Sequence, residues 1–490
     1  MTKLFLVSLA FITPIITFSQ QGIVWEPEIT VADGDTFGYI RPRISLVNDL
    51  PIVMLGKGGD GEVFIAKGNG SGFNTPIGVV PNGMQTYMAN WTGPDIASEG
   101  NNVVVVFKEQ PISTGNIYSV RSTDGGLTFS DTIRVDNYDQ GEVWMPALDM
   151  DENGNPHVSY MIFDPAGGNE RIVIASSTDG GLSYLPQQVV TGASPGVACD
   201  CCPPEVLVKD QYQLALFRNN ETNIRDTWGS LSEDNGTSFS STENLDNLGW
   251  LINACPSTGP HGVIIGDSAY VVSASRGEGS YRVYVSTTGL SGGLTLNSVQ
   301  IMDEPTSTAG DAQNFPRISG SGDTLVVVWE EKESGNSDIL YSVATDGNSQ
   351  TLGAFKAKVN ADLMGFQGKP DVIFKNGYVH VVYQDLATDN VIYRRGTIAD
   401  VTEINEMDGV VLDVYPNPTT QIITVNGLNK NNIADIKTIN TLGQEFSFSS
   451  KWISTNSVQL DFGSTIKKGV YFLQFVLENG TSISKAITVN

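Results

Sequence analysis

All four cysteines of the chain sit in two short connections, Cys199-Asp200-Cys201-Cys202-Pro203-Pro204 and Cys255-Pro256-Ser257-Thr258-Gly259-Pro260-His261. Two chemistries are open to such a group. In an oxidising compartment the thiols pair as disulfides. Bonding the neighbours Cys201 and Cys202 to each other is strained, so Cys255 has to pair with one of the other three. Alternatively, thiolates and His261 hold a soft metal, copper or zinc. Met88 and Met145 tilt that choice toward Cu(I), and Cys-x-Cys-Cys is not a standard zinc spacing. Both chemistries require the two connections to be neighbours in space.

The elements that would bring them together form a long repeat. A proline precedes a short apolar run, a turn and a second β-rich run. The copies begin at Pro42, Pro94, Pro146, Pro204, Pro260, Pro316 and Pro370, spaced 52 to 58 residues apart. Runs such as Val103-Val104-Val105-Val106-Phe107 and Thr324-Leu325-Val326-Val327-Val328-Trp329 have strand composition. Such a period with four short strands per unit predicts an all-β fold, a β-propeller of seven blades, with six as the alternative. The seventh unit shows three strands, and Ile23 to Val31 can supply the fourth and close the ring, removing two exposed edges. The connections before the prolines then border the channel mouth. They make Trp91 and Trp144 candidate binding residues.

Superimposed on this period is Ser122-Thr123-Asp124-Gly125-Gly126-Leu127-Thr128-Phe129. It recurs at Ser177–Tyr184 and, more loosely, at Ser232–Phe239. Asp holds a turn through its own backbone and Gly takes positive φ. These copies resemble the Asp-box (BNR) hairpin of sialidase-like propellers. The resemblance implies the fold and places the hairpins on the outer rim, away from the channel. A further stretch, Cys199 to Cys202, then Arg218-Asn219-Asn220-Glu221-Thr222-Asn223-Ile224-Arg225-Asp226, then Cys255 to Pro260, resembles secreted sialidase-like BNR proteins. It implies kinship without an activity and adds Arg218, Arg225 and Asp226 as binding candidates. Arg225-Asp226 also reads as an exposed ion pair of small energetic value.

Sialidase chemistry, which the resemblance raises, needs three arginines on a substrate carboxylate, because guanidinium pairs with carboxylate through two parallel hydrogen bonds. It also needs a tyrosine nucleophile. Arg41 and Arg43 flank Pro42, Arg218, Arg276 and Arg317 are available to complete a triad, and Tyr393 is the nucleophile candidate. The plainer reading is that Arg43 and Arg317 repeat the blade-start pattern. His157 and His380 read as packing residues, and Asp149 to Asn155 as a hairpin turn. No phosphate loop, Ser-His-Asp order or dinucleotide fingerprint occurs.

Residues 1–19 read as a signal peptide, with Lys3 followed by an apolar stretch. The propeller spans 22–401, an acidic linker 402–410, and a small β-sandwich 411–490. In that sandwich Tyr415-Pro416-Asn417-Pro418, Leu442-Gly443-Gln444, Gly469-Val470-Tyr471 and a terminal Lys485-containing strand occur in order. They resemble the type IX secretion sorting domain of Bacteroidota, which implies passage through the outer membrane, removal of the domain, and the type IX machinery as a partner. The formal charge of −26 argues against nucleic acid and anionic lipid, and no run is long enough for a transmembrane helix. The expected role is a secreted or outer-surface protein binding an extracellular glycan, peptide or protein at the channel mouth. A glycoside hydrolase or lyase, and a metal-site protein, are the alternatives.

Overall fold

The computed structural model describes residues 21–59, 61–277, 280–302, 312–333, 335–361, 365–400, 412–440, 446–463, 466–477 and 482–489. The signal-peptide and linker stretches lie outside them. The chain divides into two compact units, Gln21–Ile398 and one that holds Ala399–Asn490.

In the first unit, seven antiparallel sheets follow one another, five of four strands and two of five. Their first strands are Ile40–Val47, Asp95–Glu99, Val143–Met150, Glu205–Lys209, His261–Ile265, Ala312–Ser321 and Gln367–Lys375. Each touches the first strand of the next sheet, and the seventh touches the first, so together they make a closed ring around a channel. This is a seven-bladed propeller, and the six-bladed alternative is set aside. The second strands are largely buried because each blade is sandwiched between two others. Val103, Val104, Val105, Val106 and Phe107 are all buried, and apolar residues of both blades interleave at each junction. Val47, Ile52 and Met54 meet Ile96, Val103 and Phe107 across the first such junction.

The seventh blade is completed by the N-terminal strand Gln21–Trp25, placed outermost beside Asn390–Asp400. Ile29–Ala32 pairs with the same strand, Ile29 opposite Tyr393. The seam is packed like the other junctions: Val31, Ile44, Val53 and Leu55 cluster with Val382, Val391 and Tyr393.

The three Ser-x-Asp hairpins share one hydrogen-bond scheme. Asp124 Oδ1 accepts from the backbone of Leu127 and Thr128 at 3.0 Å, and Oδ2 from the Thr128 hydroxyl at 2.6 Å. The Ser122 hydroxyl donates to Asp124 and accepts from Gly126. Asp179 and Asp234 repeat the pattern. Those donors hold all three carboxyls below the usual carboxylate range. Both oxygens of each Asp carboxylate thus accept from within the turn itself.

The second unit is a sandwich. A sheet ordered Asp413–Tyr415, Ile422–Asn426, Ser457–Asp461, Ser449–Ser454 faces one made of Ile433–Asn440, Gly469–Leu477 and Ser482–Val489. Ile423, Val425, Val458 and Leu460 from the first pack on Leu473, Phe475 and Ile487 from the second.

Ring closure is testable at adjacent residues of the N-terminal strand. Ile23 packs among Val326, Val328, Ile339 and Tyr341, whereas Val24 is 56% exposed. Ile23→Ala is expected to lower unfolding stability by roughly 2–4 kcal/mol, and Val24→Ala by no more than about 0.5 kcal/mol. Urea titration of both variants decides it; equal effects would show that this strand does not close the ring.

Candidate functional site

The residue after the blade proline lines the channel in six blades, Arg43, Asp95, Glu205, His261, Arg317 and Asp371; the third blade has Ala147 there. The position follows from the fold. The first strand of each blade has an edge toward the channel, and its N–H groups need acceptors that the blade does not supply. Three of the seven side chains supply them to the following blade. Asp371 Oδ2 accepts from Ile44 N at 3.0 Å, Asp95 Oδ2 from Leu148 N at 3.1 Å, and His261 Nδ1 from Ile318 N at 3.2 Å. Deeper in the channel Asp149 accepts from Val208 N, and Ser319 from Phe374 N.

Arg43, Glu205 and Arg317 make no such staple. A cavity of about 280 Å³ runs down the channel, and a smaller one of about 30 Å³ opens on the proline side. The residues lining both are Arg43, Glu205 and Arg317. These three form the neck between mouth and channel. Arg317 lies 3.4 Å from Glu205 and 3.8 Å from Asp371, Arg43 lies 3.9 Å from Asp95, and His261 Nε2 is 4.0 Å from Glu205. Burial pushes the Glu205 carboxyl up to about 8, with Asp95 adding to the effect and Arg317 opposing it. Burial, then the Arg317, Arg43 and Arg41 cations, hold His261 well below its usual value. Burial in the neck therefore favours the uncharged forms of the carboxyl and the imidazole beside the guanidinium groups.

The mouth wall adds Arg41, Trp91, Phe315 and Lys369. Arg41, Met145, Phe315 and Lys369, each directly before a blade proline, all have positive φ, between 48° and 54°. In every case the strand pairing shifts register across that residue. A bulge of this kind re-aims a side chain, and a left-handed non-glycine residue is strained by order 1–3 kcal/mol. Arg41 donates to Pro94 O at 2.6 Å and Arg43 to Pro42 O at 2.8 Å. Their buried Nε–H groups have no acceptor in the protein. Lys369 is paired with Glu330 at 2.9 Å and stacked on Phe315. Trp91 is half-buried and meets Trp144 at 5.8 Å, which in turn meets Tyr87 and Phe163.

The cysteine connections form one side of this mouth. Cys199 pairs with Cys202 and Cys201 with Cys255, with Cα separations of 5.5 and 5.9 Å. Trp91 rests on Cys199, Cys201 and Cys202. Gly259 lies so close to Pro203 that a side chain there would meet its carbonyl at 2.1 Å. Arg218 is fully buried and gives its donors to the carbonyls of Arg225, Ala274 and Thr258, with Trp250 beneath it. Asp226 accepts from Trp250 N, Gly249 N and Asn244. Arg225 Nη1 sits 3.0 Å from Cys199 Sγ.

Several sequence expectations change. The sulfurs are joined in disulfides, so no thiolate is left for copper or zinc. His261 faces the channel and is absent from the groups that gather around the sulfurs among the described residues. Arg218 is not available to a substrate carboxylate, because the wall takes up its guanidinium. Tyr393 lies in the apolar seam between the seventh and first blades, hydrogen-bonded to His380 at 2.8 Å, so it cannot attack a ligand in the channel. Arg276 stacks on Tyr281. Arg225 and Asp226 are buried rather than exposed. The structure brings together Arg41, Arg43, Arg317 and Trp91, and adds Glu205, Asp95 and Asp371. The sequence carried the signal for these three in the identity of the residue after each proline.

Residues 413–490 match the family described as the secretion system C-terminal sorting domain. The chain is therefore exported by type IX secretion to the exterior or the outer surface of the cell. No helix among the described residues is long and apolar enough to cross a membrane. No curated protein sequence matches the chain. Solved structures similar to it include a Dyadobacter fermentans protein of unknown function, 13% identical over 66% of this chain and 97% of that one, TM-score 0.45. Another is the Trypanosoma rangeli sialidase with the inhibitor DANA, 12% identical over 92% and 88%, TM-score 0.43. A third is the GH93 α-L-arabinofuranosidase of Fusarium graminearum with arabinobiose, 16% identical over 64% and 92%, TM-score 0.40. At these identities and scores the likenesses say nothing of activity.

The neck makes a prediction about pH. Glu205 keeps its proton in the fold up to about 8, whereas the unfolded chain loses it near its ordinary 4.5. Between those values the folded state binds more protons, so the contribution of Glu205 to stability falls as pH rises. Glu205→Gln abolishes that term. The stability of wild type relative to Glu205→Gln is expected to decline from about pH 5 to about pH 8, measured by urea unfolding at each pH. Parallel curves would remove the raised carboxyl from the account.

Proposed function

We propose that the propeller binds a carboxylate-bearing extracellular glycan at the proline-side mouth of its channel. The observation that carries this is the convergence of Arg41, Arg43 and Arg317 on one pocket in a chain of net charge −26. Arg41 and Arg43 retain Nε–H groups without acceptors, and two parallel N–H donors suit a carboxylate. Trp91, resting on the disulfides at the pocket's side, offers a flat apolar face for a sugar ring.

A second reading, cleavage of that glycan, is favoured by one feature. Glu205 is a carboxyl that holds its proton to about 8 and stands in the neck next to Arg317. A group of that kind suits general acid catalysis of glycosidic bond breaking.

Calorimetry of the full chain with uronate- or nonulosonate-containing oligosaccharides, against neutral ones of equal length, tests the first reading. Acidic ligands should bind selectively and more weakly at higher salt. Arg41→Ala and Arg317→Ala should each lose roughly 10- to 100-fold in affinity, the worth of a hydrogen bond to a charged group. Equal affinity for neutral oligosaccharides would sink the reading. In the same panel, turnover that Glu205→Gln abolishes while affinity persists would establish cleavage; binding without product would confine the site to recognition.

The sorting domain generates a separate expectation. Mass spectrometry of secreted material should find a chain beginning near Gln20 and ending around residues 400–412. Full-length protein in the medium would count against cleavage.

A further inference from the structure

The four cysteines are unequal. Cys199, Cys201 and Cys202 are buried, at 0%, 4% and 1% exposure, while Cys255 is exposed. The two disulfides also lie against each other, because the Cys199 and Cys201 sulfurs, which belong to different bridges, are 3.7 Å apart. A cation stands over them. Arg225 Nη1 is 3.0 Å from Cys199 Sγ and 4.0 Å from Cys201 Sγ, and shares its charge with Asp200 at 3.6 Å. Two structural clamps would need neither contact.

We propose that this cluster is a thiol–disulfide exchange relay that takes up a small external thiol at Cys255 and passes the exchange inward to Cys202. In the first step an external thiolate attacks the exposed Cys255 sulfur. The new S–S bond joins the thiol to Cys255, the Cys201–Cys255 bond breaks, and its electron pair leaves on Cys201. Exchange is faster when the leaving thiolate is stabilised, and Arg225 supplies the positive charge beside that sulfur. In the second step the Cys201 thiolate attacks Cys199, already within van der Waals reach. The Cys199–Cys201 bond forms, the Cys199–Cys202 bond breaks, and Cys202 leaves as thiolate and takes a proton from solvent. Two disulfides and one thiol enter, and two disulfides and one thiol remain, so no oxidant or reductant is consumed. Because the buried wall under Trp91 is made of these residues, the exchange rearranges the side of the mouth.

The probe is glutathione added to the unreduced full-length chain, with iodoacetamide trapping and fragment-ion mapping of the bridges. Tryptophan fluorescence is followed to confirm that the protein stays folded. The expected product carries glutathione on Cys255, a Cys199–Cys201 bridge and alkylated Cys202. Alkylation confined to Cys201 with Cys199–Cys202 intact would overturn the relay. Glutathione first on Cys199 or Cys202, or no adduct in the folded protein, would overturn Cys255 as the point of attack. The variant Cys255→Ser isolates the second step by leaving Cys201 free. Alkylation there should divide between Cys201 and Cys202, and alkylation of Cys201 alone would again reject the inward transfer.

Discussion

The propeller depends on satisfying the inward edge of seven first strands. A blade pairs its own strands, but the N–H groups facing the channel have no partner within the blade, and a buried donor left unpaired is destabilising by about 1–3 kcal/mol. The answer is to borrow a side chain from the preceding blade. Asp371 serves Ile44, Asp95 serves Leu148, and His261 serves Ile318. The first of these spans the joint where the ring closes, so closure and channel polarity are one arrangement. Once those positions are assigned, the residues left over at the same level, Arg43, Glu205 and Arg317, are free to face whatever occupies the channel.

Much of the scaffold was legible in one dimension. The recurring proline and the apolar run behind it mark each blade because a strand sandwiched between two other blades is mostly apolar. The strand at Ile23 was legible because the seventh repeat lacked one. The site was less so. The residues before the prolines, which do reach the mouth, stand out by type, whereas the charges after them read as part of the repeat. Whether Asp95 turns to a neighbour's backbone and Glu205 does not is decided by the spacing of blades around a closed ring, which no local pattern encodes. The bulges were invisible for another reason. Arg41, Met145, Phe315 and Lys369 adopt positive φ, but none is a residue type that signals it.

The cysteine region shows how density of reactive residue types can mislead. Arg218, Arg225, Asp226 and the Cys199–Cys202 run read as a candidate site, yet most of their polar atoms are directed at backbone. Arg218 ties three carbonyls and Asp226 gathers two N–H groups and an amide. Two adjacent connections without regular pairing need side chains to satisfy their peptide groups, and long buried guanidinium and carboxylate groups do that over several ångströms. The same residues then fix Trp91, which faces the mouth. The wall thus positions the mouth, while Trp91 and the arginines are the side chains that line it.

Charge sets the mouth apart from the rest of the surface. A chain of −26 surrounds a pocket where Arg41, Arg43 and Arg317 meet. The acidic exterior repels anions at long range, but at 0.15 M salt that field decays within about 8 Å. Within the buried neck screening is weak, and the local cations dominate the field. If Glu205 were ionised it would cancel one of them. Burial favours the protonated form instead, in which the carboxyl adds a donor to the pocket without subtracting from its positive charge. The closed ring thus sets the charge of the neck as well as its shape.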